Sequence, residues 1–335
     1  MDIFQIKEKL KSNEYDFIRK NEHLGKNIIL LTIGGSHAYG TNTYGSDLDI
    51  RGCFSNTTKE ILTNNIYEQY DDQETDTVIC SLDKLINLLT DCNPNVIEIL
   101  GLKPEHYLFV DDIGKQILDN SKLFLSKKAY FRFGKYAESM IDLFKRTASM
   151  ADEATREQHL LETLYKVMNK LIVNDNDKVV LYMGTNNDNK RSVYMDLKLQ
   201  HAEIKDYKNV LGSANSTIKN FDKLGSRNSK AIEHNKLGKH MMHLTRLILT
   251  CIDILTEERV ITYREKEHDF LMDIRNEKYL KGIEPIPEFF ELIDDLNKQL
   301  DYAYKNTSLP ENPDYNAINE FKYELNKSIV ANQII

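Results

Sequence analysis

The stretch that decides the fold is residues 34–50, which read Gly-Gly-Ser-His-Ala-Tyr-Gly-Thr-Asn-Thr-Tyr-Gly-Ser-Asp-Leu-Asp-Ile. It follows an apolar run, residues 28–33, whose composition predicts a buried strand. The run ends at two glycines and a serine, which predict a tight turn where a ligand can approach the backbone. Asp47 and Asp49 close the stretch, with one leucine between them.

Asp47 and Asp49 are expected to share one face of a second strand, over residues 47–54, because side chains at i and i+2 point the same way. Leu48 and Ile50 then point into the core. Two neighbouring carboxylates repel each other unless a cation lies between them, and oxygen ligands suit Mg²⁺ or Mn²⁺. The pattern predicts a metal site with Asp47 and Asp49 as primary ligands. The alternative is a surface turn followed by two solvated aspartates.

The Gly-Gly-Ser turn has a separate expected role. A phosphate-binding turn beside two carboxylates is the outline of a phosphoryl- or nucleotidyl-transfer centre, and a helix that starts there offers free N–H groups to an anion. We expect Gly35 and Ser36 to hold nucleotide phosphates through backbone N–H and hydroxyl groups, while Gly34 serves the turn. His37 is expected either to touch phosphate or to make a local hydrogen bond.

These residues resemble the signature of the DNA polymerase β-like nucleotidyltransferase superfamily, in which a hydrophobic segment, Gly-Gly or Gly-Ser and a spacer precede two acids separated by an apolar residue. The sequence of residues 35–41 and 46–52 resembles one branch more closely, the RlaP-type, RNA-repair-pathway polymerase-β-like family. Residues 82–85, 92–100 and 239–247 agree with that branch. The resemblance implies a fold and a reaction type, and leaves the acceptor open.

A third carboxylate is expected, because nucleotidyl transfer with two metal ions commonly uses one from a neighbouring strand. Asp76 opens a predicted third strand over residues 75–82, and its position fits the resemblance. Asp76 is therefore our third catalytic and metal-binding candidate. Glu74 has the same parity in that strand, and Asp83 lies at a predicted helix start where it would favour the helix dipole; both stay as alternatives.

Four basic residues are candidates for nucleotide binding. Arg51 lies on the strand face of the two aspartates, where it either neutralises a phosphate or pairs with a carboxylate. Lys239, His243 and Arg246 are spaced to share one face of a predicted helix, and such a face can clamp a triphosphate or the acceptor. The alternative for this face is an exposed polar stripe.

Composition sets broad bounds on the 335-residue chain, which is long enough for one large or two medium domains. A net charge of −8 argues against tight nonspecific nucleic-acid binding. Residues 219–246 are locally basic, and either meet phosphates or form a solvated helix face. The four cysteines lack metal-binding spacing. Because neither a signal peptide nor an apolar membrane span is visible, a cytoplasmic protein without membrane contact is expected.

The expected fold class is α+β. A polymerase-β-like nucleotidyltransferase α/β domain with a small mixed sheet, residues 1–115, is followed by an all-helical substrate- and nucleotide-binding domain, residues 116–335. Helices are predicted over residues 3–21 with a break near Asn13, and over 82–92, 113–125, 127–149, 153–174, 193–210, 215–222, 229–256 and 286–304.

The expected function is metal-dependent nucleotidyl transfer, an activity of the EC 2.7.7 type. With Mg²⁺ or Mn²⁺, NMP would pass from an NTP, ATP being favoured, to an acceptor hydroxyl with release of pyrophosphate. An RNA or tRNA end is the favoured acceptor. The alternatives are adenylylation of a protein, as in toxin–antitoxin systems, and a non-catalytic nucleotide-binding or interaction protein. A P-loop enzyme is disfavoured, because no Gly-x-x-x-x-Gly-Lys-Ser/Thr occurs.

Overall fold

A computed structural model describes residues 1–134, 137, 153–174, 176–186, 189–233, 237–282 and 284–334. The chain divides into two compact units. Unit 1 consists of Met1–Ser139, Lys239–Tyr279 and Pro287–Ile335, and unit 2 of Met140–Gly238 and Leu280–Ile286. These units do not divide the chain at residue 115, since unit 1 also takes in segments from the C-terminal region. The proposed pair of domains, 1–115 and 116–335, stays a prediction.

Unit 1 contains a five-stranded sheet. Its strands are β1 (Ile28–Ile33), β2 (Ile50–Phe54), β3 (Gln69–Asp72), β4 (Thr77–Ser81) and β5 (Tyr107–Val110). They lie in the order β3-β4-β2-β1-β5. Strands β2 and β4 are parallel and the other neighbours are antiparallel, so the small mixed sheet expected from the sequence is confirmed.

Helices surround this sheet. In the N-terminal part of unit 1 they are α1 (Ile3–Lys9), α2 (Phe17–Lys20), α3 (Gly35–Tyr39), α4 (Thr58–Thr63), α5 (Leu82–Thr90) and α6 (Asp112–Asp119), with 3₁₀ turns at Asn13–Tyr15, Gly25–Asn27, Ile97–Gly101, Pro104–His106 and Ser121–Phe124 and a π-helical turn at Tyr130–Gly134. In the described part of unit 2 the helices are α7 (Glu153–Met168) and α8 (Ile204–Glu233). The C-terminal ones are α9 (Leu237–Glu257), α10 (His268–Arg275), α11 (Pro287–Asn306) and α12 (Tyr315–Ile334). None of the helices in the described ranges is long and apolar enough to cross a membrane.

The first strand is the centre of the core. All six residues of β1 are buried, as the apolar run predicts. Leu48 and Ile50 are 4% and 0% exposed, and they belong to the apolar cluster that contains residues of β1. The alternation that directs Leu48 and Ile50 inward is therefore confirmed. The second strand begins at Ile50 rather than at residue 47, although Asp49 still joins the sheet because its carbonyl accepts a hydrogen bond from Gly34 at 2.9 Å.

Several helix boundaries follow their sequence signals. The first helix ends at Lys9 and a 3₁₀ turn begins at Asn13, which confirms the predicted break. Helix α5 starts after Ser81, whose hydroxyl accepts a hydrogen bond from the Lys84 N–H at 3.3 Å. Residues 259–263 form a connector rather than a strand, and Thr262 N–H donates to the Gly101 carbonyl at 3.1 Å.

One helix prediction is wrong. Residues 191–198, which fall largely within the helix expected over 193–210, form strand β7 (Arg191–Lys198), paired with β6 (Lys178–Thr185) in a hairpin of unit 2. Val193, Met195 and Leu197 pack on the apolar cluster of unit 2. Alternate residues therefore face one side, which is the period of a strand. The C-terminal region is mainly helical, as expected, but this hairpin and the two short strands β8 (Leu280–Lys281) and β9 (Glu284–Pro285) lie within it.

Some predictions fall outside the described residues. The helix expected over 127–149 lies mostly in the gap from 138 to 152, and the helix over 229–256 crosses the gap at 234–236. The side chains of residues 220–236, which carry much of the basic stretch 219–246, are also outside the described part. These expectations stay predictions.

Ser81→Ala should destabilise unit 1 by about 1 kcal/mol, because it removes the N-cap of α5 and leaves an N–H of the first turn without its partner. The free energy of unfolding in urea measures this. Ser12→Ala is the matched control, since Ser12 precedes a 3₁₀ turn without a side-chain cap and should change stability little. Equal effects of the two substitutions would contradict the capping role.

Candidate active site

The signature stretch folds back on itself at the end of β1. The chain leaves β1 at Ile33, turns at Gly34 and enters α3, which spans Gly35–Tyr39. Because Gly34 N–H donates to the Asp49 carbonyl, the start of α3 lies directly beside the start of β2. The Gly-Gly-Ser turn and the second aspartate of the signature are therefore neighbours in space.

The closest approach in this region is between Gly35 and Asp49. Gly35 has a φ of +55°, and a Cβ atom built on it would lie 1.7 Å from Asp49 Oδ2. Only glycine can occupy this position, because a side chain would meet both left-handed backbone strain and the carboxylate. A Cβ on Gly34 would lie 2.8 Å from Arg51 Cγ and 3.5 Å from Glu98 Oε1. Both glycines are thus required by the packing of charged side chains on the turn.

The carboxylate of Asp49 belongs to a cluster with Asp76 and Arg51. Arg51 Nη2 lies 3.3 Å from Asp49 Oδ1 and 3.2 Å from Asp76 Oδ1. Arg51 Nη1 also donates to the Asp76 carbonyl at 2.6 Å and to the Ile50 carbonyl at 3.0 Å. In this structure Arg51 therefore has the carboxylate-pairing role that the sequence left open beside phosphate binding.

Asp76 reaches the cluster from the turn before β4 rather than from within the strand. Its φ is +46°, a conformation that Asp and Asn tolerate better than most residues. Its carbonyl accepts hydrogen bonds from Ile50 N–H at 3.2 Å and from Arg51, and these hold the turn in place. The parallel pairing of β2 with β4, in which Ile50 lies opposite Thr77, brings Asp76 next to Asp49.

The two carboxyl groups of the cluster shift each other's pKa. Burial, together with the hydrogen bond and charge of Asp76, raises the pKa of Asp49 to about 6 against the opposing charges of Arg51 and Lys239. The hydrogen bond from Asp49 lowers the pKa of Asp76, with Arg51 acting in the same direction. Of the two carboxyl groups, Asp49 therefore has the higher pKa.

The donor set of this cluster fits a divalent cation. Two carboxylates held in contact repel once both are ionised, and oxygen ligands suit Mg²⁺ or Mn²⁺. Asp47 stands exposed, two residues before Asp49. In the described part of the chain no group of three or more His, Cys, Asp or Glu side chains is arranged to hold a metal ion. The structure thus brings together two of the three predicted carboxylates, Asp49 and Asp76.

The predicted basic face of α9 divides into an exposed end and a buried end. Lys239 is exposed, and its charge lowers the pKa of both Asp49 and Asp76, so it lies near the cluster. His243 and Arg246 differ from it, because burial lowers the pKa of His243 to about 3 and that of Arg246 to about 10. The three residues do not form one exposed polar stripe.

Arg246 is held by aromatic and imidazole partners. Its guanidinium carbon lies 3.3 Å from the centre of the Tyr39 ring, and Nη2 donates to His243 Nδ1 at 2.9 Å. Tyr39 is the last residue of α3. Arg246 is 6% exposed and therefore braces the helix that follows the glycine turn.

Glu98 is a site residue to which the sequence assigned no role. It is 8% exposed and lies against the glycine turn, where Gly35 N–H hydrogen-bonds to its carboxylate. Burial raises the pKa of Glu98 to about 7, against the opposing charge of Arg246 and this hydrogen bond. The available signal was a single acid in the apolar segment Ile97-Glu98-Ile99-Leu100. A buried acid in such a segment needs a local partner.

Ser36 and His37 occupy the first turn of α3. Ser36 is half-buried, and its carbonyl accepts hydrogen bonds from Thr41 N–H at 2.9 Å and from Gly40 N–H. His37 is buried, and its ring donates to the Ser46 carbonyl. His37 thus makes the local hydrogen bond that the sequence offered as one of two roles.

Comparison with known proteins agrees with this geometry. Residues 6–324 match RlaP, the RNA repair pathway DNA polymerase beta family. The chain belongs to this family. Its membership confirms the suspected polymerase-β-like, RlaP-type branch and indicates a protein of the nucleotidyltransferase type. Searches of curated proteins and of solved structures gave no match.

Gly35→Ala should be more damaging than the same change at Gly45. Gly45 has a φ of +82° with nothing within 4 Å of its missing Cβ. Gly45→Ala should therefore lower the free energy of unfolding only by the backbone strain, about 1–2 kcal/mol. Gly35→Ala carries the same strain and also displaces the Asp49 carboxylate. Urea unfolding of both variants makes the comparison. A Gly35 variant as stable as the Gly45 variant would contradict the close packing.

Glu98→Gln should change the pH dependence of stability. The folded-state pKa of about 7 lies above the ordinary value of 4.5, so the folded chain binds more protons and loses stability as pH rises from about 4.5 to 7. Glutamine does not titrate. The variant should therefore gain stability relative to wild type between pH 5 and pH 8, on the order of 2 kcal/mol.

Urea unfolding at the two pH values tests this, with exposed Glu74→Gln as the control. The difference in the free energy of unfolding between wild type and Glu74→Gln should be the same at both pH values. If the difference in the free energy of unfolding between wild type and Glu98→Gln is also independent of pH, the raised pKa of Glu98 is refuted.

Proposed function

We propose that this protein is a metal-dependent nucleotidyltransferase that transfers NMP from an NTP to an acceptor hydroxyl and releases pyrophosphate. The observation that carries the proposal is the packing of the Asp49 carboxylate on Gly35, with Asp76 beside it. This places an acidic pair directly on a glycine turn at the end of a buried strand. Family membership supports the same reaction type, and the RNA repair context of the family name favours an RNA or tRNA end as the acceptor.

Asp49 and Asp76 are the residues proposed to hold the metal, with exposed Asp47 as the further candidate from the signature. When bound, Mg²⁺ or Mn²⁺ would lower the pKa of the attacking hydroxyl and neutralise charge on the triphosphate. Below about pH 6 the proton on Asp49 leaves only one charge on the pair. The site therefore gains its second negative charge as pH rises through about 6.

The remaining site residues are proposed to bind the phosphates of the NTP or to orient the two carboxylates. Ser36 is proposed to contact the terminal phosphates through its backbone N–H and hydroxyl groups. Gly35, whose own N–H binds the Glu98 carboxylate, forms the tight turn that presents Ser36. Lys239, exposed near the acidic pair, is proposed to meet the phosphates of the NTP, ATP being favoured. Arg51 orients the two carboxylates through its paired nitrogen atoms.

His243 and Arg246 are assigned a different role from direct nucleotide binding. Arg246 is buried and stacked on Tyr39, and half-buried His243 is hydrogen-bonded to it. We propose that the pair positions α3, and thereby the glycine turn, rather than touching the substrate.

Transfer of radiolabelled α-phosphate tests the proposal. With Mg²⁺ or Mn²⁺, α-labelled NTPs and RNA or cell extract, wild type should label an acceptor. Asp49→Asn and Asp76→Asn should each reduce labelling by about 100-fold or more, because each removes a proposed metal ligand. Asparagine tolerates positive φ, so Asp76→Asn removes the charge without adding backbone strain.

Asp71→Asn is the matched control, since Asp71 is an exposed aspartate on the neighbouring strand β3 and should leave labelling unchanged. Undiminished labelling in both Asp49→Asn and Asp76→Asn would refute the assignment. Asp47→Asn, assayed alongside, shows whether the exposed aspartate takes part. Label that is released by nuclease identifies an RNA acceptor, and label released by protease identifies a protein.

A further inference from the structure

The loop between α3 and the signature aspartates is braced at its start. Gly40 has a φ of +71°, and the ring of Tyr263 occupies the space that a Cβ would need, with the nearest ring atom at 2.1 Å. His268 Nε2 donates to the Gly40 carbonyl at 2.9 Å. Residues from the segment after α9 and from α10 therefore hold the point where the loop leaves α3.

The tip of the loop, residues 43–46, is a hydrogen-bonded turn. Ser46 N–H donates to the Thr43 carbonyl at 3.0 Å, and Thr43 N–H donates to Ser46 Oγ at 2.9 Å. Arg275 Nη2 donates to Thr43 Oγ1 at 3.2 Å, and His37 binds the Ser46 carbonyl. Gly45, with its φ of +82°, supplies the left-handed conformation of the turn. The backbone of this turn is thus fixed from within and from two neighbouring helices.

Tyr44 lies on this fixed turn, and its side chain packs on none of the described residues. The side chain is fully exposed, and it makes no ring contact or hydrogen bond with the described residues. A turn position favours small polar residues, so the aromatic ring is not needed by the turn. Since it buries no surface, it adds no hydrophobic stabilisation to the fold.

The place of Tyr44 in the chain sets it apart from other exposed tyrosines, such as Tyr302. It precedes Asp47 by three residues, so the two Cα atoms lie at most about 11 Å apart. The turn that carries the ring is also bound to α3, the helix that starts at the glycine turn, through the hydrogen bond from His37 to the Ser46 carbonyl. A ring on a fixed backbone loses little freedom when it binds a flat partner.

We propose that Tyr44 is a stacking platform for a nucleobase at the edge of the active site. The inference rests on the proposed function, which supplies a nucleotide at this place. Every base has a π-face, and stacking of a base on an exposed aromatic ring is tolerant of base identity. The base belongs either to the NTP or to the terminal nucleotide of an RNA acceptor, which present the same chemistry to the ring.

Equilibrium binding tests the proposal without requiring turnover. The probes are ATP, followed by titration calorimetry, and a fluorescently labelled single-stranded oligoribonucleotide, followed by anisotropy. Tyr44→Ala should weaken the binding of one probe by about 5- to 150-fold, the range of base–aromatic stacking. Tyr44→Phe keeps the ring and should bind within about 2-fold of wild type, whereas Tyr44→Leu, apolar but not aromatic, should resemble Tyr44→Ala.

The control is Tyr302→Ala, which removes an exposed tyrosine from α11 and should change neither affinity. The probe that loses affinity in Tyr44→Ala identifies the source of the base. Wild-type affinity of Tyr44→Ala for both probes overturns the inference, as does a wild-type chain that binds neither probe. The proposed function fails separately, through the labelling assay with Asp49→Asn and Asp76→Asn, so the two failures are distinguishable.

Discussion

The approach of the Asp49 carboxylate to the backbone of Gly35 is the constraint on which the rest of the site depends. It requires glycine at position 35, in a left-handed conformation that no other residue adopts without strain. It also requires β1 and β2 to end side by side, which the hydrogen bond between Gly34 and Asp49 secures.

This contact also places a carboxylate where its negative charge is unfavourable, and the neighbouring cation compensates for this only in part. Asp49 is withdrawn from water and placed against Asp76, while Arg51 is the one cation in direct contact with both among the described residues. The raised pKa of Asp49 reports that its negative form is disfavoured. Perturbed acids of this kind concentrate at functional sites, where a ligand supplies the missing charge. The proposed binding of a cation and phosphates would supply that charge here.

Behind the glycine turn lies a second, buried set of charges. Glu98 holds Gly35 from the protein interior, and Arg246 stacks on Tyr39 at the other end of α3. A buried charge is retained only where partners compensate for lost hydration. These residues connect the apolar segment after α5 and helix α9 to the short helix that carries the glycine turn, so the turn is supported from both sides.

Much of the fold near the site follows from local sequence patterns. The apolar run of β1, the alternation of Leu48 and Ile50 with the aspartates, and the Ser81 cap can all be read within a few residues. The hairpin β6–β7 was not predicted, because Val193, Met195 and Leu197 alternate as in a strand but Met and Leu also favour helices. Helical spacing correctly grouped Lys239, His243 and Arg246, but spacing alone cannot tell which end of a face is buried.

The sequence by itself determined the glycine turn, the position of Asp49 at the start of the second strand, and the type of family. These are properties of neighbouring residues, whose side-chain periodicity and backbone freedom are set locally. Only the tertiary structure decided that Asp76 joins Asp49, that Glu98 lies under the turn and that Arg246 is buried. Each of these depends on the pairing of strands or the packing of helices distant in the chain, where burial and hydrogen bonding with non-local partners select the neighbours.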